Sequence, residues 1–145
     1  VATVYDVETV LNNRLLEYAQ DTETTVGPDD IHWSNTGYEP VVGTPYIAAN
    51  FVPASSAPVG VGQESPIREI GFYQLSVAVP SGEGKGTVKQ IVSELHQYFK
   101  QSSTLTYGGI NVRVQRFRVF DTFTGPDWFI QIVRVEWRSD IPNNN

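Results

Sequence analysis

The chain of 145 residues contains no cysteine and no methionine, and only two histidines. Without cysteine there is no disulfide framework, no thiolate nucleophile and no Cys-ligated zinc. Without methionine, the chain is expected to begin after a removed initiator. No window approaches 18 consecutive apolar residues, so no membrane span and no membrane partner are expected. The first ten residues, "VATVYDVETV", carry acids where a secretory signal would carry bases. A soluble protein is expected. The histidines, His32 and His96, show no H-E-x-x-H spacing, and a metal site would need carboxylate help. No G-x-S-x-G elbow is present. These shortages argue against an enzyme, and no catalytic residue, metal or cofactor is expected.

The length suits one domain over residues 1–145, able to bury roughly 68–70% of its unfolded surface. The net charge of −6 is unevenly spread. Residues 1–83 hold 11 acids and two bases, Arg14 and Arg68; residues 84–145 hold five acids and eight bases. A net acidic chain disfavours general nucleic-acid binding, because phosphate contacts supply most of that affinity. The two halves read either as solvated faces of one domain or as complementary patches of a head-to-tail oligomer.

"TVYDVETVLNNRLLEYAQ" predicts a helix: Val4, Val7, Leu11, Leu15 and Tyr18 recur at helical spacing, and Thr3 with Asp6 forms a capping pair. Residues 21–45 are rich in turn formers and acids, with "IHWSN" the one short extended piece. "YIAANFVP" reads as a strand ending at Pro53. Residues 53–68, rich in Gly, Pro and Ser, predict a long exposed loop or hairpin arm of the kind that is often functional. "REIGFYQLSVAVP" alternates as a strand. "TVKQIVSELHQYFKQ" carries a helical stripe of Val88, Ile91, Val92, Leu95, Tyr98 and Phe99. "GINVRVQRFRVF" and "DWFIQIVRVEWRS" are two further strands joined by the turn "DTFTGP", and residues 139–145 are expected to fray. The order predicts an α+β domain: a mainly antiparallel four-stranded sheet with two helices packed on one face.

The stretch "VPSGEGKGTVKQ" has the look of a phosphate loop. A Walker loop would need glycine at 79 and a hydroxyl at 86; Val79 and Gly86 stand there. The dinucleotide pattern fails at Thr87. The same residues explain a strand-to-helix turn, with Thr87 and Gln90 expected to form a capping box.

The aromatics are mostly core candidates, but Phe123 and Trp128 flank a hairpin tip, where a contact with another chain is the better use. Arg113, Arg134, Glu136 and Arg138 lie at alternate positions, as on a sheet face that meets water or a partner. The residues proposed to meet a neighbouring copy or another chain are Pro53, Val59, Val61, Glu64, Arg68, Arg113, Arg118, Asp121, Phe123, Asp127, Trp128, Arg134 and Arg138.

Trp33, Asn35, Tyr38 and Pro40, then Gly71, Tyr73, Gln74, Pro80, Gly82, Gly84, Tyr98 and Phe99 form a pattern that resembles the tail terminator (tail completion) proteins of long-tailed bacteriophages. The resemblance spans most of residues 3–138. It implies a non-enzymatic virion protein at the tail–neck junction, assembled in the host cytoplasm. Its partners would be further copies of itself in a homo-hexameric ring, the tail tube protein and a neck or head-completion protein. DNA would pass through the lumen without specific binding. Another neck or adaptor ring is the nearest alternative; a small hydrolase or ligand-binding domain using the glycine stretch and a pocket at His32 is the more distant one.

Overall fold

The computed structural model describes residues 3–33, 37, 39–41, 43–82 and 85–142. Asn35, Tyr38 and Gly84, which carry part of the resemblance, lie outside the described residues.

Helix α1 spans Val4–Gln20 and buries Val7, Val10, Leu11, Leu15, Tyr18 and Ala19. Its start is the predicted capping box: Asp6 Oδ2 accepts from the Thr3 amide at 2.7 Å, and Thr3 Oγ1 accepts from the Tyr5 amide at 3.3 Å. A cap of this kind contributes about 1 kcal/mol. Helix α2 spans Gly86–Tyr98 and buries Val88, Ile91 and Leu95. Its start differs from expectation. Lys85 occupies the cap position with no side-chain cap bond, Thr87 lies inside the first turn, and Gln90 Nε2 donates to Glu94 instead, at 3.3 Å. The helix begins two residues too early for Thr87 to be its cap.

A short 3-10 turn, Pro28–Asp30, leads into β1 (Ile31–His32). The other strands are β2 (Tyr46–Pro58), β3 (Ile67–Pro80), β4 (Thr104–Tyr107), β5 (Ile110–Thr124) and β6 (Trp128–Ile141). They form a six-stranded sheet in the order β1-β2-β3-β6-β5-β4. The expected four-stranded antiparallel sheet is therefore corrected to a mixed sheet that curls into a half-barrel, still α+β. The parallel member is β1, which registers Ile31 on Ile47 and His32 on Ala48. Two strands fell outside the expected sheet because they are too short to show a period: β1, two residues at the start of the expected extended piece, and β4, four residues.

Of the two forms expected for residues 53–68, a long loop or a hairpin arm, the chain takes the hairpin arm, with a loop at residues 59–66. β2 continues to Pro58, opposite Ile67, by way of a bulge between Pro53 and Ser55. Proline is tolerated there because the strand's far end has one partner, β3, and bulges are where ladders forgo bonds. Of the residues expected to fray, 139–141 are instead paired, since β6 runs through Ile141, which is buried; residues 143–145 lie outside the described residues. Ser139 Oγ donates to the Asn111 carbonyl at 2.7 Å.

One sheet face carries the core. Tyr73, Leu75, Val77 and Val79 of β3 lie beside Val133, Val135 and Trp137 of β6, and Val112 and Val114 of β5 continue the layer. Helix α1 covers β4 and β5, and α2 covers β3. Each such aliphatic side chain contributes roughly 1.5–3 kcal/mol by leaving water. Trp137 is fully buried and stacks on Phe51 with ring centroids 5.3 Å apart. Gly71 makes room for it: a Cβ there would stand 2.7 Å from the indole and 2.4 Å from the Val52 carbonyl oxygen. The helices are clamped by Glu94, whose carboxylate accepts from the Tyr18 hydroxyl at 2.9 Å and from the Thr25 amide and hydroxyl at 3.0 and 2.9 Å.

Candidate functional site

No helix among the described residues is long and apolar enough to cross a membrane. Among them there is also no cluster of three His, Cys, Asp or Glu side chains able to hold a metal. A cavity of about 490 Å³ opens between α1 and β4, but its charged lining residues, Arg14 and Glu17, are already paired at 2.9 Å. A smaller one, about 190 Å³, is lined by Asn12, Trp33 and Tyr73. Its Tyr73 hydroxyl donates to Asn12, and burial holds that phenol well above its ordinary range. His32 pairs with Ala48 in β1, and the exposed His96 packs its ring on Phe117 with centroids 4.9 Å apart.

The residues that gather elsewhere are on the sheet's open face, away from the helices. Residues directly opposite in an antiparallel ladder share a face. Arg113 lies opposite Arg138, Arg116 opposite Glu136 and Arg118 opposite Arg134. Five arginines thus stand in two adjacent rows with one acid. β5 has two bulges, between Val114 and Arg116 and between Val119 and Thr122, and the first makes this arrangement. Without the first, simple alternation would put Arg113 and Arg116 on opposite faces. Arg116 was accordingly missed by sequence reasoning, and no periodic signal could have found it.

Arg134 is half-buried at the centre. Its Nε donates to Gln74 Oε1 at 3.0 Å, and its guanidinium lies 4.5 Å from the centroid of Phe72 and 4.7 Å from that of Phe120. Arg118 also lies over the Phe120 ring, 4.9 Å from its centroid, and reaches Glu136 at 3.4 Å. These cation–π contacts fix Arg134 and Arg118 over the rings of Phe72 and Phe120. A shallow cavity of about 280 Å³ lies beside them, between Gln74, Phe120, Phe123 and Arg134.

The other predicted residues scatter around this face. Arg68 forms a bidentate pair with Asp140 at 2.8 and 3.1 Å, and that bond holds the Asp140 carboxyl below its ordinary range. Pro53 sits at the β2 bulge, exposed. Val59, Val61 and Glu64 lie in the loop at 59–66, with Val61 fully exposed. Asp121, Phe123 and Asp127 are exposed around the β5–β6 tip, Phe123 by 60%. Trp128 is half-buried, and its ring meets Tyr46 edge-on at 5.0 Å. The tip itself is fastened to the chain's own glycine turn: the Ser81 amide donates to the Asp127 carbonyl at 3.1 Å and its hydroxyl to the Gly125 carbonyl at 2.9 Å. The structure therefore brings Arg113, Arg118, Arg134 and Arg138 together and leaves the loop residues as a separate group.

Charge divides along the same line. Glu23 and Asp29 are exposed and Asp30 is half-buried, in the segment that follows α1 and packs beside α2. Burial first, and the Asp29 charge second, push the Asp30 carboxyl up.

No protein of curated function matches the sequence. Ten chains among solved structures do match. One of them, whose name carries no functional description, has 19% identity and a TM-score of 0.75, covering 97% of this chain and 98% of its own. At that identity the likeness shows the fold. Residues 6–137 match the family described as phage tail terminator protein. That is a family of structural tail-completion proteins rather than enzymes, virion components that meet other tail and neck parts. With nearly the whole folded region inside the match, the chain belongs to the phage tail terminator family.

Proposed function

We propose that this protein closes the tail tube. Copies assemble as a hexameric ring on the last ring of the tube, end its growth and offer the surface to which the neck attaches at the tail–neck junction. The observation that carries this reading is the family match over residues 6–137. The open face supports it physically. A closed ring needs two different surfaces on each copy that fit each other, and this chain separates its acids from its arginines. The loop at 59–66 and the β5–β6 tip, with Phe123 exposed, are the arms that reach a neighbour or the tube. Pro53 bends the first of these arms, and Trp128 braces the second. DNA passes through the lumen without specific binding, in keeping with the net charge of −6.

Electron microscopy of particles from a phage lacking this gene tests the reading. Abnormally long tails, unattached beside filled heads, are the expected result. Tails of normal length that fail to join heads would reassign the protein to a connector ring. Intact infectious particles would overturn both. Replacing residues 60–65 by a two-residue turn is expected to leave a folded chain that does not cap tails.

A further inference from the structure

Three arginines of the open face, Arg113, Arg116 and Arg138, form no ion pair among the described residues. Arg113 and Arg138 stand directly opposite each other across β5 and β6. Like charges so placed destabilise the sheet that carries them. The acids have the converse problem. Asp29 and Asp30 are adjacent in a 3-10 turn, and burial first, then the Asp29 charge, pushes the Asp30 carboxyl up. Neither group can relieve the other within one chain. The turn leads into β1, which is three strand spacings, about 14 Å, from β6. It also packs with the helices on the covered side, through Val26 and the Thr25–Glu94 bonds.

We propose that the arginine-bearing open face of β5 and β6, centred on Arg113 and Arg138, receives the acidic segment around Glu23, Asp29 and Asp30 of a neighbouring copy of this chain. Each copy then gives one surface and accepts the other, so the contact is head-to-tail. A second copy is favoured over another protein because the chain itself supplies the complementary charge, 11 acids against two bases in residues 1–83. It is favoured over DNA because the same copy would bring a net charge of −6 beside the phosphates. The proposal rests on the ring reading only for where the contact is used.

Charge reversal in a phage lacking the gene, supplied with the full chain from a plasmid, tests it. Arg113→Glu is expected to lower titre roughly 100-fold, because each contact changes from attraction to repulsion. Asp29→Arg with Asp30→Arg is expected to do the same. The chain carrying all three changes is expected to recover to within about tenfold of the unaltered chain. Purified Arg113→Glu should unfold about 1–2 °C higher, since it replaces an Arg–Arg cross-strand pair with a Glu–Arg pair.

A combined chain no better than the worse parent would overturn the proposal. So would normal titre from the acidic variant, or a lower unfolding temperature for Arg113→Glu, which would make the defect one of folding. If unaltered protein retained duplex DNA and Arg113→Glu lost it, without rescue, the face would belong to DNA. Tail length in the gene-null particles reports on termination separately: normal tails there with charge rescue intact would retire the ring reading and leave the contact between copies standing.

Discussion

The same strands present two unlike faces. On the covered side, Val133, Val135 and Trp137 of β6 meet Leu75 and Tyr73 of β3, and the helices close over them. One residue away along each strand, on the open side, stand Arg134, Glu136 and Arg138. The covered face is settled within the chain, by apolar area and by Glu94 tying the helices together. On the open face two of the three facing pairs set arginine against arginine, and rings, Gln74 and Glu136 hold only Arg118 and Arg134. A face whose side chains cost stability in the isolated chain is best understood through what it meets in an assembly.

That contrast can be broken most severely at the covered face. Gly71→Ala would drive a Cβ into the Val52 carbonyl and the Trp137 indole; a loss on the order of 3 kcal/mol is expected in urea unfolding. Trp137→Ala, which empties the same place, should cost about 3–5 kcal/mol by the same measurement. Glu94→Gln is the next step down. It weakens charge-assisted bonds from Tyr18 and Thr25 and should cost about 1–2 kcal/mol, read as a lower unfolding midpoint with an unchanged slope.

Acid sharpens the comparison with smaller effects. The Tyr98 hydroxyl holds the Asp21 carboxyl below its ordinary range, and Arg68 does the same for Asp140. Groups depressed in this way stabilise the fold above the unfolded pKa, and the stabilisation is lost as pH falls through their folded values, below about pH 4. Asp30 is shifted the opposite way, so its penalty eases as pH falls. Thermal unfolding between pH 6 and pH 3 should therefore fall for the unaltered chain, and fall less for Asp140→Asn. The smallest effect is expected at the arms. Phe123→Ser and Val61→Ser should each change stability by no more than about 0.5 kcal/mol while reducing plaque formation, since both side chains project into water in the lone chain.

Much of the covered face was legible in the sequence, because burial imposes a period. The stripe Val7, Leu11, Leu15, Tyr18 and the alternation Tyr73, Leu75, Val77, Val79 are both present as read. The Thr3–Asp6 cap was legible too, since its partners are three residues apart. β1 and β4 were not. Their pairing is decided by where β2 and β5 lie, and the link between β4 and β5, Gly108 and Gly109 with φ of 60° and 81°, reads locally as a mere turn. The prolines at 53 and 58 argued for a loop, yet the hairpin continues because its bulge absorbs one of them. Of the open face, the alternating arginines of β6 were visible. On β5, Arg113 and Arg118 were named but Arg116 was not, because a bulge changes which residues are neighbours without leaving any mark on the pattern of residue types.

The two bulges in β5 bear on how this protein can vary in length. Each adds one residue to β5 against β6, so the second restores the parity that the first reverses. Losing the extra residue between Val119 and Thr122 would straighten β5 there and still leave Thr122 opposite Gln131 and Phe123 opposite Ile130, so the tip would face as it does now. Loss of one residue at an unbulged position would instead turn over every side chain beyond it. Lineages that shorten this arm while keeping its outward aromatic should do so at the bulges.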